Sequence, residues 1–430
     1  MGLALSLRAA GHALILAFGA AGASAYAATD IQVWHTLTGP NKAEFEKIVK
    51  QFNRDQKDVR VLVKGFDTQA ALRDEARKAK AAKNSPHLVQ IEDNHSPDVI
   101  AEHEDILPMH RLLADYPIRD LAWFLPQTSN FVRDSRGRLL AFPFMAEVPV
   151  MFYNLDAYKK AGLDARTPAR TWNDLQAELL ALRASGVTCP YGSSDAVNVH
   201  LENLAPMNGR DLTTADNGLG KGRPKFKFDS LYMRHISLMV SWKRSMLFTH
   251  HPDDRTPDAL FAKGTCAVLT SGTGALGQLQ AAKGLSFGVA PLPYYAQVAK
   301  QPGRPFVSGS ALWAVSGHPR SDDKASAAFL AFLATPVVAA QWHQHTGYLP
   351  LTEAAFRASD VSFYNKIPGA QQLIEAMRTT PTPSSRGFRL ANYPQVEAVM
   401  NTELQGALAG DTPPVRALNV ISEKGDALMR

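Results

Sequence analysis

The stretch Ile31-Gln-Val-Trp-His-Thr-Leu-Thr-Gly-Pro-Asn-Lys-Ala-Glu-Phe-Glu-Lys-Ile-Val-Lys-Gln-Phe52 changes hydrophobic period within a few residues. Ile31-Gln-Val-Trp34 reads as a short strand. Gly39-Pro40 then opens a helix, because Phe45, Ile48, Val49 and Phe52 recur at i, i+3, i+4 and i+7 and form one apolar face. Downstream, Val59, Val61 and Val63 alternate with Arg60 and Leu62 as a half-to-fully buried strand. A charged helix follows over 69–83, Pro86 stops it, and 87–91 is a third strand. The order β-α-β-α-β predicts an α/β fold built on a parallel sheet with helices on both faces. Ligands bind beyond the carboxyl ends of the strands in such sheets. Trp34-His35-Thr36 and Asp93-Asn94-His95 are therefore expected on the binding edge.

A second set begins near Pro149. Val150-Met-Phe-Tyr153 is a strand and 156–161 a short helix with Gly162 past its end. Thr171-Trp-Asn-Asp174 has the pattern of a capping box. The helix it opens carries Leu175, Leu179 and Leu182 on one face, and Gly186 ends it. Ala267-Val-Leu-Thr270 is a further buried strand, and Ser271-Gly-Thr-Gly274 leads into a helix from Ala275. A strand containing Gly309 lies within 306–316. Ser321-Asp-Asp323 starts a helix, Pro336 breaks the line, and a second helix runs to Gly347. There is no internal repeat and no low-complexity linker.

The first 27 residues read as a secretory signal peptide. Arg8 precedes a short apolar run, small residues follow, and Ala25-Tyr26-Ala27 fits an A-x-A cleavage site. The alternative, a membrane anchor, needs a longer run than this glycine-broken one. The mature chain is expected to start at Ala28 and to be exported to the periplasm. It exceeds one ordinary core, so two lobes are expected. The 46 basic and 40 acidic residues give a net charge of +6, spread along the chain. The densest basic run, Lys221-Gly-Arg-Pro-Lys-Phe-Lys227, reads as a solvated loop, and no nucleic-acid partner is expected. Cys189 and Cys266 are the two cysteines. An oxidising compartment admits a disulfide between them or two separate buried thiols.

Several motifs suggest chemistry. Gly284-Leu-Ser-Phe-Gly288 matches G-x-S-x-G, but the prolines that follow forbid the helix a nucleophile elbow needs. Gly218-Leu-Gly-Lys-Gly222 lacks the strand that precedes a phosphate loop. His343 and His345 share a face on a strand and point about 200° apart on a helix. The helical reading removes a joint metal site. Glu92 and Asp93 are strand neighbours expected to face opposite ways, so no carboxylate pair is placed for hydrolysis. Ser271-Gly-Thr-Gly274 offers free N–H groups where a strand becomes a helix, which suits an anion.

Val148-Pro-Val-Met-Phe-Tyr-Asn-Leu-Asp-Ala-Tyr-Lys-Lys-Ala-Gly-Leu163 and Thr171-Trp-Asn-Asp-Leu175 resemble extracellular solute-binding proteins of carbohydrate-type ABC importers. Leu201-Glu-Asn203, Gly309-Ser-Ala-Leu-Trp313, Trp342-His-Gln-His-Thr-Gly-Tyr-Leu-Pro350, Gly387-Phe-Arg-Leu390 and Asn392-x-Pro-Gln395 extend the match toward the branch that captures glycerol phosphates. The resemblance implies a two-lobed periplasmic-binding-protein fold with a ligand cleft and a hinge. By that analogy 28–144 with 289–333 form one lobe and 145–288 with 334–430 the other. Crossings are expected near 145–148, 287–290 and 333–336.

The same resemblance implies that Tyr348 and Arg389 contact a phosphate, that the backbone of Gly309 approaches the ligand, and that Thr273 or Gly272 holds an anion. It places Asp93 on glycerol hydroxyls and makes the two histidines structural. It also exposes departures. Glu147 stands where the family has a phosphate-contacting serine, Phe66-Asp67 replaces a tyrosine, and Asp195-Ala-Val-Asn198 replaces aromatic side chains. These substitutions admit a glycerophosphodiester whose cation lies near Glu147, or a neutral oligosaccharide or polyol. An exported hydrolase is the third reading. The resemblance implies a monomer that hands its ligand to the permease subunits, with no catalytic residue, cofactor or metal.

Overall fold

The computed structural model describes Met1 and residues 28–101, 105–125, 132–134, 136–253, 255–379 and 381–429. The leader reading falls, Met1 apart, outside the described residues. The first sheet contains β1 (Thr29–His35), β2 (Val59–Gly65), β3 (Leu88–Glu92), β4 (Ile106–Leu107) and β5 (Phe142–Glu147). The second contains β6 (Pro149–Asn154), β7 (Cys189–Ser193), β8 (Cys266–Gly272) and β9 (Phe287–Pro291). The last strand, β10 (Ser308–Val315), returns to the first sheet.

β1 pairs in parallel with β2 and with β3, as the β-α-β-α-β order requires. The rest of that sheet is antiparallel, because β10 inserts between β3 and β4 and also pairs with β5. The purely parallel sheet expected from the local pattern is therefore corrected to a mixed one. The strand that changes it arrives more than two hundred residues downstream of β3, beyond the reach of local periodicity. The second sheet runs β7-β8-β6-β9, with β7 parallel to β8 and β6 antiparallel to both its neighbours.

Each sheet is covered by helices over its own core. Helix α1 (Gly39–Asp55) buries Phe45, Ile48, Val49 and Phe52, the face that the spacing indicates. Phe45 meets Trp342 edge-on at 6.0 Å and Phe52 meets Phe329 at 5.2 Å. Helix α2 (Gln69–Ala81) is capped by the Thr68 hydroxyl, which accepts from Ala71 N–H. Over the second sheet, the Thr171 side chain accepts from Asp174 N–H at 3.0 Å and opens the helix Trp172–Ala184. Trp172, Leu175, Leu179 and Leu182 of that helix are buried.

The first passage between the sheets is one residue long: β5 ends at Glu147 and β6 begins at Pro149. The 287–290 stretch lies within β9 of the second sheet, so the return passage falls between Pro291 and Ser308. The 333–336 stretch joins two helices, Arg320–Leu333 and Pro336–Thr346, whose Phe329, Leu333, Val338 and Trp342 all belong to the first core.

Cys189 and Cys266 face each other across the β7–β8 ladder and are joined by a disulfide. The bond closes a sequence separation of 77 residues that includes Ser194–Glu202 and Arg255. Cross-linking a loop of that length restricts the unfolded chain and adds about 2–5 kcal/mol. Cys189→Ser is expected to lower the unfolding free energy by that amount, read as a lower denaturation midpoint, and reductant is expected to lower the wild-type midpoint to the same value. Coincident midpoints for wild type and variant under oxidising conditions would contradict this.

Candidate functional site

A cleft of 340 Å³ lies between the two sheets. From the first sheet it is lined by Thr36, Leu37, Thr38 and Asn41 past β1, by Glu92, Asp93 and Asn94 at the end of β3, and by Ser308 to Ser310 of β10. The second sheet contributes Ser194 and Asp195 after β7 and Ser271, Gly272 and Gly274 at the end of β8. This is the carboxyl edge of the parallel strands in both sheets. Side-chain bonds link the walls, among them Asn94 Nδ2 donating to Glu397 at 2.7 Å and Asn41 Nδ2 donating to the Gly274 carbonyl at 3.0 Å.

One end of the cleft is acidic. Asp93, Asp195, Glu202 and Glu397 gather there with Glu92. Asn198 and Glu202 both reach the cleft because Asn198–Glu202 is a π-turn, and Asn198 Nδ2 donates to Glu202 at 3.3 Å. The Tyr393 hydroxyl also donates to Glu202. Crowding and burial favour the neutral acids. Desolvation, then Glu202 and Glu397, push Asp93 well above the usual carboxylate range. Desolvation and Glu397 do the same to Glu202. Desolvation raises Glu92 to about 7, although Arg255 opposes it. A carboxyl that keeps its proton can donate a hydrogen bond to a hydroxyl, and it becomes a full acceptor when it ionises beside a cation.

Glu147 occupies the other end. Its Oε2 accepts from Gly274 N–H at 2.8 Å, so the carboxylate itself fills the anion position expected at Ser271–Gly274. The backbone there leaves room for nothing larger than glycine. A Cβ on Gly272 would stand 2.4 Å from Glu147 Oε2, and one on Gly274 would stand 2.7 Å from it. Gly309, at φ +100°, would place a Cβ 2.3 Å from the Met145 carbonyl. Desolvation raises the pKa of Glu147, against the Gly274 hydrogen bond and the charge of Arg255.

Tyr348 forms the wall beside this cradle. Its ring stacks on Trp342 at 5.5 Å, and Trp342 stacks on Phe144 at 4.7 Å. Gly347, left-handed at φ +86°, ends the preceding helix and turns Tyr348 inward. His343 is buried and braces this turn, with Nδ1 2.6 Å from the Tyr348 carbonyl and Nε2 2.8 Å from the Tyr364 hydroxyl. His345 is exposed and pairs with Glu44 at 3.1 Å. The two histidines point apart, as helical spacing demands.

Of the residues singled out from the sequence, Asp93, Glu147, Gly309 and Tyr348 line the cleft, and Gly272 does so where Thr273 does not. Thr273 turns behind the wall, beside Phe152 and His343. Asp67 is exposed between β2 and α2. Arg389 is half-buried outside the lining, and its Nη2 donates to the Arg133 carbonyl. Glu92 and Asp93, expected to face opposite ways, both line the cleft, because the strand ends and Asp93 starts a 3₁₀ turn. Sequence reading missed Arg255, Asp258 and Glu397, which lie in segments with no motif, and Glu202, which sat inside a quoted motif without a role.

A second cluster, His87, His318 and Asp322, brings three ligand atoms within 4.8 Å. It lies at the start of β3, the end opposite the cleft. Gln32 N–H donates to His87 Nδ1 at 3.0 Å, which fixes the proton on Nε2, facing Asp322. That tautomer cannot ligate a metal through Nε2.

The family model described as "Bacterial extracellular solute-binding protein" matches residues 47–369. The chain belongs to this family. A relative from Pectobacterium atrosepticum, the sn-glycerol-3-phosphate-binding periplasmic protein UgpB, is 33% identical over 97% of this chain and 95% of its own length. The protein of the same name from Shigella dysenteriae is 31% identical over 95% of this chain and 94% of its own. Among solved structures, UgpB from Mycobacterium tuberculosis in complex with glycerophosphocholine superposes with a TM-score of 0.74 at 18% identity, covering 93% of this chain and 98% of that one. Maltose-bound MalE3 of T. maritima gives 0.73 at 19%, covering 93% and 100%. These neighbours establish the two-lobed α/β binding-protein fold. The family and its relatives are binding proteins of transporters, not enzymes, and the curated relatives are periplasmic.

The raised pKa of Glu92 has a consequence for the unliganded protein. The folded chain keeps a proton that the unfolded chain releases above the ordinary value of 4.5, so stability falls as pH rises from 4.5 to about 7. Glu92→Gln removes a term of at most roughly 3 kcal/mol. Its melting temperature is expected to change less than that of the wild type between about pH 5 and about pH 7.5. Parallel profiles would mean that the Glu92 carboxyl titrates normally.

Proposed function

We propose that the protein is the periplasmic solute-binding component of an ABC importer and captures a glycerol phosphate compound for delivery to the membrane permease. The observation that carries this is the identity of about one third over 97% of the chain with proteins named for binding sn-glycerol-3-phosphate. The cleft supports it with Tyr348, Gly309 and Asp93 as ligand contacts. The leader is then removed near Ala27, and the chain works as a monomer.

The cleft favours a glycerophosphodiester with a cationic head over sn-glycerol-3-phosphate. Glu147 already fills the glycine cradle. A dianionic phosphate placed there would meet a carboxylate at contact distance. A diester keeps its phosphate away from the cradle and offers a cation to Asp93, Asp195, Glu202 and Glu397. The neutral oligosaccharide reading is weaker, because Tyr348 and Tyr393 are the only aromatic residues in the described lining and give little stacking surface.

Calorimetric titration of the chain from Ala28 tests the choice. Glycerophosphocholine is expected to bind one to one, and sn-glycerol-3-phosphate more weakly. Glu147→Ser frees Gly274 N–H and removes the repelling charge, so it is expected to strengthen sn-glycerol-3-phosphate binding by about 1.5–3 kcal/mol, the scale of a hydrogen bond to a charged group. A preference for sn-glycerol-3-phosphate in the wild type would refute the diester assignment.

A further inference from the structure

The described lining of the cleft contains several carboxyl groups and a single Lys or Arg side chain, Arg255. Asp253 accepts from Arg255 N–H at 2.9 Å and also from the Thr256 hydroxyl. The helix that follows, Thr256–Ala262, has Pro257 in its first turn and buries Phe261 completely. Pro257 also packs tightly against Gly192 of β7, next to the Cys189–Cys266 bond. The start of the helix Thr256–Ala262 therefore delivers a long cationic side chain into an otherwise acidic cleft.

Two other candidates for holding an anion are directed elsewhere. Gly274 N–H is taken by Glu147, and Arg389 donates to the Arg133 carbonyl outside the lining. Desolvation of Arg255 is outweighed by Asp195, Glu147 and Asp258, so its guanidinium stays charged. Arg255 thus lies in the cleft lining within the field of groups from both the Glu147 cradle and the acidic end. A ligand that carries one negative charge and a separate positive charge matches one cation beside an acidic cluster.

We propose that Arg255 is the anion anchor and the specificity-determining residue of this cleft, holding the phosphate of a monoanionic diester. The proposal rests on the glycerol phosphate reading above and adds the residue and the charge class. One guanidinium balances one phosphodiester charge through forked donors. A second phosphate charge would have no cation among the described lining residues and would face Glu147.

Titration of the chain from Ala28 with glycerophosphocholine tests this on wild type, R255Q and R255K. R255Q is expected to bind about 10- to 100-fold more weakly, the scale of lost charge-assisted hydrogen bonds. R255K should recover part of the loss, since it restores the charge without the fork. Wild-type affinity should fall with added salt more steeply than that of R255Q. R255K should melt with the wild type and R255Q lower, since it withdraws a cation from Asp195, Glu147 and Asp258, so binding is compared at a temperature where all three are folded. R255Q that binds within about threefold of wild type, with the same salt dependence, overturns the anchor while leaving the glycerol phosphate reading intact. Wild type that binds neither glycerophosphocholine nor sn-glycerol-3-phosphate overturns that reading and the anchor with it.

Discussion

The carboxylate of Glu147 lies at the single-residue passage between the two sheets, and much of the cleft is arranged around it. Withdrawing a carboxylate from water costs several kcal/mol unless donors replace the solvent. Here Gly274 N–H supplies a hydrogen bond, and Arg255 supplies charge. Glycine at 272, 274 and 309 lets backbone from β8, the following turn and β10 approach closely enough to form the cradle. A side chain at 272 or 274 would expel the carboxylate, and one at 309 would strike the Met145 carbonyl in β5. Strand pairing, glycine placement and electrostatics are thus one constraint.

Tyr348 shows how a core can aim a cleft residue. Phe144, Trp342 and Tyr348 form a continuous stack, with Trp342 buried and its Nε1 donating to the Phe144 carbonyl at 2.8 Å. The stack runs from the centre of the first core to the cleft wall, so Tyr348 inherits the rigidity of the core. His343 completes the support from the other side, and burial keeps it neutral by lowering its pKa to about 4. A neutral imidazole can donate to the Tyr348 carbonyl and accept from Tyr364 at once, which an imidazolium cannot. The W-H-Q-H-T-G-Y-L-P stretch is accordingly a bracket for a tyrosine, with its two histidines structural.

The charge distribution also separates two kinds of selectivity. On the proposed function, the acidic end suits hydroxyls or a cation, because its crowded carboxyl groups ionise most readily where positive charge arrives. The cradle end excludes a phosphate mainly by occupancy, since its donor is already used. Neutral polyols are not rejected by either end, so discrimination against sugars rests on the shape and limited aromatic surface of the cleft.

The sequence by itself determined the elements and the class of fold. The apolar face of α1, the Thr171 cap, the glycine after His345-Thr346 and the carboxyl-edge placement of Asp93 follow from local rules of period, capping and backbone freedom, which need no distant partner. The family motifs carried Gly309 and Tyr348 to the cleft in the same way, because each motif fixes its own backbone. Only the tertiary structure decided the rest. β10 makes the first sheet mixed, because strand pairing at long range is invisible to local periodicity. Arg255 and Asp258 reach the cleft from the start of one helix and Glu397 from a distant one, and no motif marks any of them. Glu147 could be flagged from sequence as a charge in the wrong place. That it occupies the anion cradle itself depends on three backbones meeting within hydrogen-bond distance, and folding alone brings those together.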